Sequence, residues 1–141
     1  MLKTLLLSLL LCTTISYSQS ITGKWITVDD ITGLEKSIVN IYEENGKIYG
    51  KIIKRLNQTP KDITFCDLCP GKKKGKPIIG LRFIENLTKD GNEYSGGIII
   101  DPKQGKTYKC KIELLTNGTL EVRGFIGFSL LGRSQYWKRK L

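Results

Sequence analysis

Turn-forming pairs interrupt this chain at short, fairly even intervals. They fall at Thr32-Gly33, Asn45-Gly46, Asp90-Gly91, 102–105 and Asn117-Gly118. Asn-Gly between β-rich runs is the strongest of these signals, because both residues accept the positive φ of a type I′ hairpin turn. No segment between the turns keeps a helical apolar period for long enough to make a helix of several turns. The segments read instead as eight strands, at 22–29, 35–43, 47–55, 78–86, 93–100, 106–115, 119–126 and 133–139. Two of them alternate cleanly: Tyr108, Cys110, Ile112 and Leu114 with Lys109, Lys111 and Glu113, and Leu120 and Val122 with Glu121 and Arg123. Successive strand side chains point to opposite faces, so each of these strands has one dry and one wet side. Residues 128–131 fit either one helical turn or a broad loop.

Eight short antiparallel strands joined mostly by hairpins predict an all-β fold, an eight-stranded up-and-down barrel whose closure removes exposed sheet edges. Residues 19–141 read as a single domain. Its one long connection, 57–77, holds Pro60, Pro70, Pro77, a cysteine pair and the basic run Lys72-Lys73-Lys74-Gly75-Lys76. A loop of this length in a compact domain is usually functional or specially tethered.

Residues 1–18 have the order of a secretory signal peptide: Lys3, an apolar run over 5–11, then Ser16-Tyr17-Ser18 as a small-x-small cleavage site before Gln19. The run is shorter than the roughly 20 apolar residues a spanning helix needs. Cys12 is a poor lipidation site, because Leu11 stands where a small residue belongs. The expectation is an exported protein, periplasmic or secreted, that begins at Gln19 and has no transmembrane span after cleavage.

The formal charge of +10 fits an anionic partner, or simply a solvated basic face. Lysine far outnumbers arginine. Lysine gives a diffuse positive field without arginine's bidentate fork, which argues against sequence-specific reading of nucleic acid. There is no histidine, so neither a histidine base nor a histidine metal ligand is available.

Cys66-Asp67-Leu68-Cys69 has redox or metal spacing, but Pro70-Gly71 follows, no helix is expected there, and the βαβ setting of thioredoxin-like chemistry is missing. Zinc needs four ligands, more than the cysteines after the leader supply. The reading is a Cys66–Cys69 disulfide with Cys110 unpaired on the dry face of its strand. The alternative is a bridge from the long loop to Cys110, which would need the loop to fold over the barrel mouth. The lysine run fails the phosphate-loop motif, with too few residues between Gly71 and Gly75 and Pro77 where a hydroxyl should bind magnesium. As a basic loop, Lys72, Lys73, Lys74 and Lys76 can meet anionic lipid or glycan. Residues 127–131 graze a nucleophile elbow but lack its closing glycine. Asp29-Asp30 and Glu43-Glu44 are adjacent pairs and do not converge as a glycosidase dyad would.

Thr22-Gly23-Lys24-Trp25 on the first strand, with Arg133 and Trp137 on the last, resembles the calycin pattern of lipocalins and fatty-acid-binding proteins. That resemblance implies Arg133 closing the barrel base over Trp25. The chain resembles more closely the bacterial exported family called domain of unknown function 2147. The carrying residues are Gly23-Lys24-Trp25, Asp29-Asp30, Thr32-Gly33, Lys36-Ser37, Gly50-Lys51-Ile52, Gly75-Lys76-Pro77, Gly96-Gly97, Asp101-Pro102, Gly105-Lys106, Tyr108, Val122-Arg123-Gly124 and Gly132-Arg133 with Gln135 and Trp137. The resemblance implies an envelope or secreted location and a small β fold, and no activity. The expected role is binding a small molecule or an anionic envelope component, with Trp25, Tyr108, Arg123 and Arg133 as candidate contacts and no cofactor. A structural or protein-interaction role is the alternative, and an enzyme the least expected.

Overall fold

The structure is a computed structural model that describes residues 19–141; the expected signal peptide at 1–18 lies outside the described residues. Eight strands follow in order: β1 (Gly23–Val28), β2 (Glu35–Glu44), β3 (Lys47–Arg55), β4 (Arg82–Asp90), β5 (Glu93–Asp101), β6 (Lys106–Leu114), β7 (Leu120–Phe125) and β8 (Gly132–Arg139). Each pairs antiparallel with the next, and β1 pairs with β8, so the sheet closes into a barrel. The Asn-Gly turn forms as expected, with positive φ at both Asn45 and Gly46. Closure is uneven: Trp25 faces Arg139 and Ile26 faces Lys138, and the β1–β8 ladder extends no further toward the mouth.

Up-and-down topology sorts the connections between two ends. The 45–46, 91–92 and 115–119 turns lie at one end, the base, which also receives residues 20–22 and 140. The 29–34, 56–81, 102–105 and 126–131 loops lie at the other, the mouth. The core is the inner face. Trp25, Val39, Ile41, Ile84, Leu87, Ile112, Leu120 and Trp137 are buried inside it, with the Phe83 and Trp137 rings in contact at 6.2 Å. The β2–β3 register shifts between Ile38 and Val39, with the extra residue on β3. It shifts again where β3 meets β4, and there the adjacent Phe83 and Ile84 are both buried in the core.

One predicted strand is misplaced. The 78–86 segment was expected to be extended, but β4 begins only at Arg82, because Ile78 and Leu81 belong to the long loop and are buried there. A second correction concerns Gly71: a single 3-10 turn, Gly71–Lys73, does begin after Pro70. Residues 128–131 form a turn within a broad loop.

The long loop folds back as a flap. Phe65 bridges Pro77, and Cys66 N–H donates to the Lys76 carbonyl at 2.8 Å. Lys36 Nζ reaches Asp62 at 3.3 Å at its near side. On its far side Lys73 pairs with Glu85 of β4, and Cys66 Sγ lies 3.7 Å from the Pro102 carbonyl. A Cβ on Gly105 would collide with the Leu68 carbonyl, a measure of how closely the flap approaches the β5–β6 turn. Ile100, on the face of β5 opposite Ile99, is buried. The flap therefore packs on the outer wall of β4 and β5 and adds a second layer of core there, while at its near side the Ile63 carbonyl accepts from Arg55.

Candidate functional site

The base is sealed by one residue cluster. Trp25 is fully buried, and its indole N–H donates to the Ile21 carbonyl at 2.8 Å. The Arg139 guanidinium lies 4.2 Å from the indole ring centre and donates to the carbonyls of Thr22 (3.2 Å) and Ser20 (2.7 Å). This corrects the expected Trp25–Arg133 contact. In an antiparallel pair, a residue early in β1 faces one late in β8, so Arg139 meets Trp25 and Arg133 lies at the opposite end.

At the mouth the inner face turns polar. Trp137, Gln135 and Arg133 form one row of β8, opposite Leu120, Val122 and Gly124. The Trp137 indole donates to Gln135 Oε1 at 3.1 Å. An indole N–H can only donate, so the Gln135 amide is oriented with its own NH₂ turned away from Trp137. Tyr108 continues the row of Cys110 and Ile112, beside Gly124. Thr27 and Ser37 share a hydroxyl hydrogen bond of 2.8 Å, and Arg55 stands opposite Ser37.

Arg133 makes a bidentate pair with Asp30 through Nε and Nη2. Asp30 holds the guanidinium above its ordinary pKa, with Asp29 and Asp101 adding to the effect. The same hydrogen bond holds Asp30 below the usual aspartate value. Asp29 is also lowered, first by the Thr32 N–H, because Oδ1 accepts from the N–H groups of Ile31 (2.9 Å) and Thr32 (2.7 Å) and so shapes the 29–34 turn.

The four candidate contacts thus separate. Tyr108 and Arg133 lie on the inner row at the mouth, and Trp25 is at the base. Arg123 is on the outer row, where it donates to the carbonyls of Ser129 (2.6 Å) and Leu130 (3.4 Å) and to Ser134 Oγ (3.0 Å). Gln135, Arg55 and the Thr27–Ser37 pair were not anticipated as mouth residues. Gln135 was findable, since it shares the period-2 row of Arg133 and Trp137.

The disulfide joins Cys66 to Cys69, with Cα atoms 5.3 Å apart, and Cys110 is a buried thiol. With the flap on the outer wall, a bridge to the inward-facing Cys110 is out of reach. Of the basic loop, Lys73 is tied to Glu85, whereas Lys72, Lys74 and Lys76 are exposed. Among the described residues no group of three Cys, Asp or Glu converges in metal-ligating geometry. Two surface grooves, of about 250 Å³ beside Lys73 and Arg82 and about 420 Å³ between Tyr94 and Leu114, lie outside the barrel mouth.

A family of bacterial sequences described as "uncharacterized protein conserved in bacteria (DUF2147)" matches residues 23–139. The chain belongs to this family. Its match runs from the first residue of β1 to the last of β8, so the DUF2147 domain and the closed barrel coincide. The DUF2147 barrel is also similar to a solved structure described as "Protein HP1028 from the human pathogen Helicobacter pylori belongs to the lipocalin family". The two are 25% identical over 88% of this chain and 85% of that one, with a TM-score of 0.76. No curated protein matches the chain. The lipocalin-like reading of this DUF2147 domain holds, with Arg139 in place of Arg133 over Trp25.

Proposed function

We propose that the protein is an exported binding module, not an enzyme, that takes a small ligand carrying an anionic or acceptor-rich group at the mouth of its barrel. The observation that carries this reading is the inner row of β8, which passes from the buried Trp137 through the oriented Gln135 amide to the exposed Arg133 guanidinium. Tyr108 adds a further donor at the same opening, and Arg55, whose Nη1 donates to the Ile63 carbonyl, stands beside it. The Gln135 NH₂, the phenol and the guanidinium N–H groups not taken by Asp30 and Ile63 make the opening rich in donors, which favours acceptor groups on a ligand. Eight-stranded barrels of the lipocalin type have room for one small ligand, and the likeness to a protein described as a lipocalin supports that role here.

Protein recovered from the exported fraction of its own host is expected to carry a small mass that survives native mass spectrometry. Arg133→Gln should lose that mass, while Arg123→Gln, altered on the outer wall, should keep it. Recovery of the folded protein without any added mass overturns the reading. The deep barrel is filled by Trp25, Trp137 and Phe83, and this favours a second reading, an interaction protein that works through its surface.

A further inference from the structure

We propose that the mouth end docks on the surface of an anionic lipid bilayer. This goes beyond small-ligand binding and does not depend on it. Among the described residues, every large apolar side chain that is exposed, Tyr136 and Leu141 excepted, belongs to a loop at this one end. Ile31 and Leu34 lie on the 29–34 loop, and Ile126, Phe128, Leu130 and Leu131 on the 126–131 loop. Ile31 is 82% exposed, Phe128 79% and Leu130 89%. The two loops are neighbours, because β1 and β8 adjoin, and the Asp30–Arg133 pair ties one to the other.

These tips are held in place. Asp29 fixes the turn carrying Ile31, and Arg123 grips the backbone of Ser129 and Leu130 from the outer wall. Preformed apolar tips that do not fold back on the barrel are the pattern of an interaction surface.

Charge identifies the occupant. Lys61 and Lys103 stand exposed on the other two loops of this end, and Lys72, Lys74 and Lys76 on the flap beside the outer wall; none is in an ion pair among the described residues. Apolar tips on the loops flanking β1 and β8, with unpaired lysines on the loops flanking β4 and β5, match the two layers of a bilayer interface, acyl boundary and anionic headgroups. A second copy of this chain would bring one set of lysines against another in a protein of charge +10, and like charges there repel. A bilayer of anionic lipid meets both features at once.

The test is co-sedimentation with vesicles of phosphatidylglycerol and phosphatidylcholine, and with phosphatidylcholine alone. The wild-type protein should partition onto the mixed vesicles, less so as salt is raised, and only weakly onto phosphatidylcholine. The double variant Phe128→Ser, Leu130→Ser should bind at least about tenfold more weakly. Because both side chains are exposed, it should keep the wild-type circular dichroism. In a separate variant, Phe128→Trp, emission should shift to the blue on mixed vesicles, against the constant signal of the buried Trp25 and Trp137. The proposal is overturned if the folded wild type stays in the supernatant, if the double variant partitions as the wild type does, or if the apolar tips drive self-association without vesicle binding.

Discussion

Arg139 and Arg133 stand on the same row of β8, and their surroundings set what each contributes. Arg139 covers an indole and satisfies two carbonyls of the chain entering β1. Arg139→Ala is therefore expected to cost about 1–3 kcal/mol, through lost ring contact and lost packing of its stem. Arg133→Ala removes an ion pair exposed at the rim and should cost clearly less. Urea unfolding of the two variants checks this, and equal losses would contradict the assignment of Arg139 to the base. Cys110 supplies a second prediction at this scale. Burial pushes its thiol up to about 12, so it should resist iodoacetamide in the folded protein at mildly alkaline pH and react once urea unfolds the barrel. Rapid labelling of native protein would show that the inner wall opens. The sequence did allow the base to be read correctly. Trp25 lies near the start of β1, so antiparallel closure needs a partner near the end of β8, a condition Arg139 meets and Arg133 does not. Side-chain period gives the face of a strand, and strand direction is needed to give the end.

The loops at the mouth share a sensitivity that the strands lack. Asp29, Asp30 and Asp62 all lie in them, and each has its pKa lowered, by the Thr32 backbone, by Arg133 and by the Thr59 backbone respectively as the largest favourable influence. A carboxylate whose folded pKa is lowered adds stability above its unfolded pKa and loses it as pH falls through the folded value. The window therefore opens near the ordinary aspartate value of 3.8 and extends below it. On acidification through that range, pepsin should cut within 29–34 and 56–65 before it cuts any strand, as peptide mass mapping would show. First cuts in β5 or β6 would count against it. The hairpins themselves were legible, since Asn45-Gly46, Asp90-Gly91 and Asn117-Gly118 lie where the structure turns. The start of β4 was not. Ile78 and Leu81 carry the apolar character of a strand, yet they are spent on the flap's contact with the outer wall, a long-range burial that no local pattern encodes. The site was legible in part: alternation put Tyr108 on the dry row and Arg123 on the wet row, as the barrel has them, whereas Arg133 came from the calycin resemblance, which set it at the wrong end.

Taken whole, the molecule is a cylinder with one weak seam. The β1–β8 ladder is the shortest in the sheet, with Trp25–Arg139 and Ile26–Lys138 as its facing pairs, and toward the mouth the Asp30–Arg133 pair bridges its two edges. Hydrogen exchange should therefore release the mouth-side amides of β1 and β8 before those of β5 and β6, followed by mass spectrometry of overlapping peptides. Arg133→Gln should widen that difference, and uniform protection around the barrel would refute the seam. The base carries a different consequence. Ser20 and Arg139 are hydrogen-bonded there, and Lys140 N–H donates to the Lys24 carbonyl at 2.9 Å. In a chain cut to residues 19–141, a short Gly-Ser linker could join these ends directly, and the chain could be reopened at Asn45-Gly46, also at the base. Such a circular permutant would keep all four mouth loops unbroken, and a cargo fused at its new ends would project from the pole opposite the apolar tips.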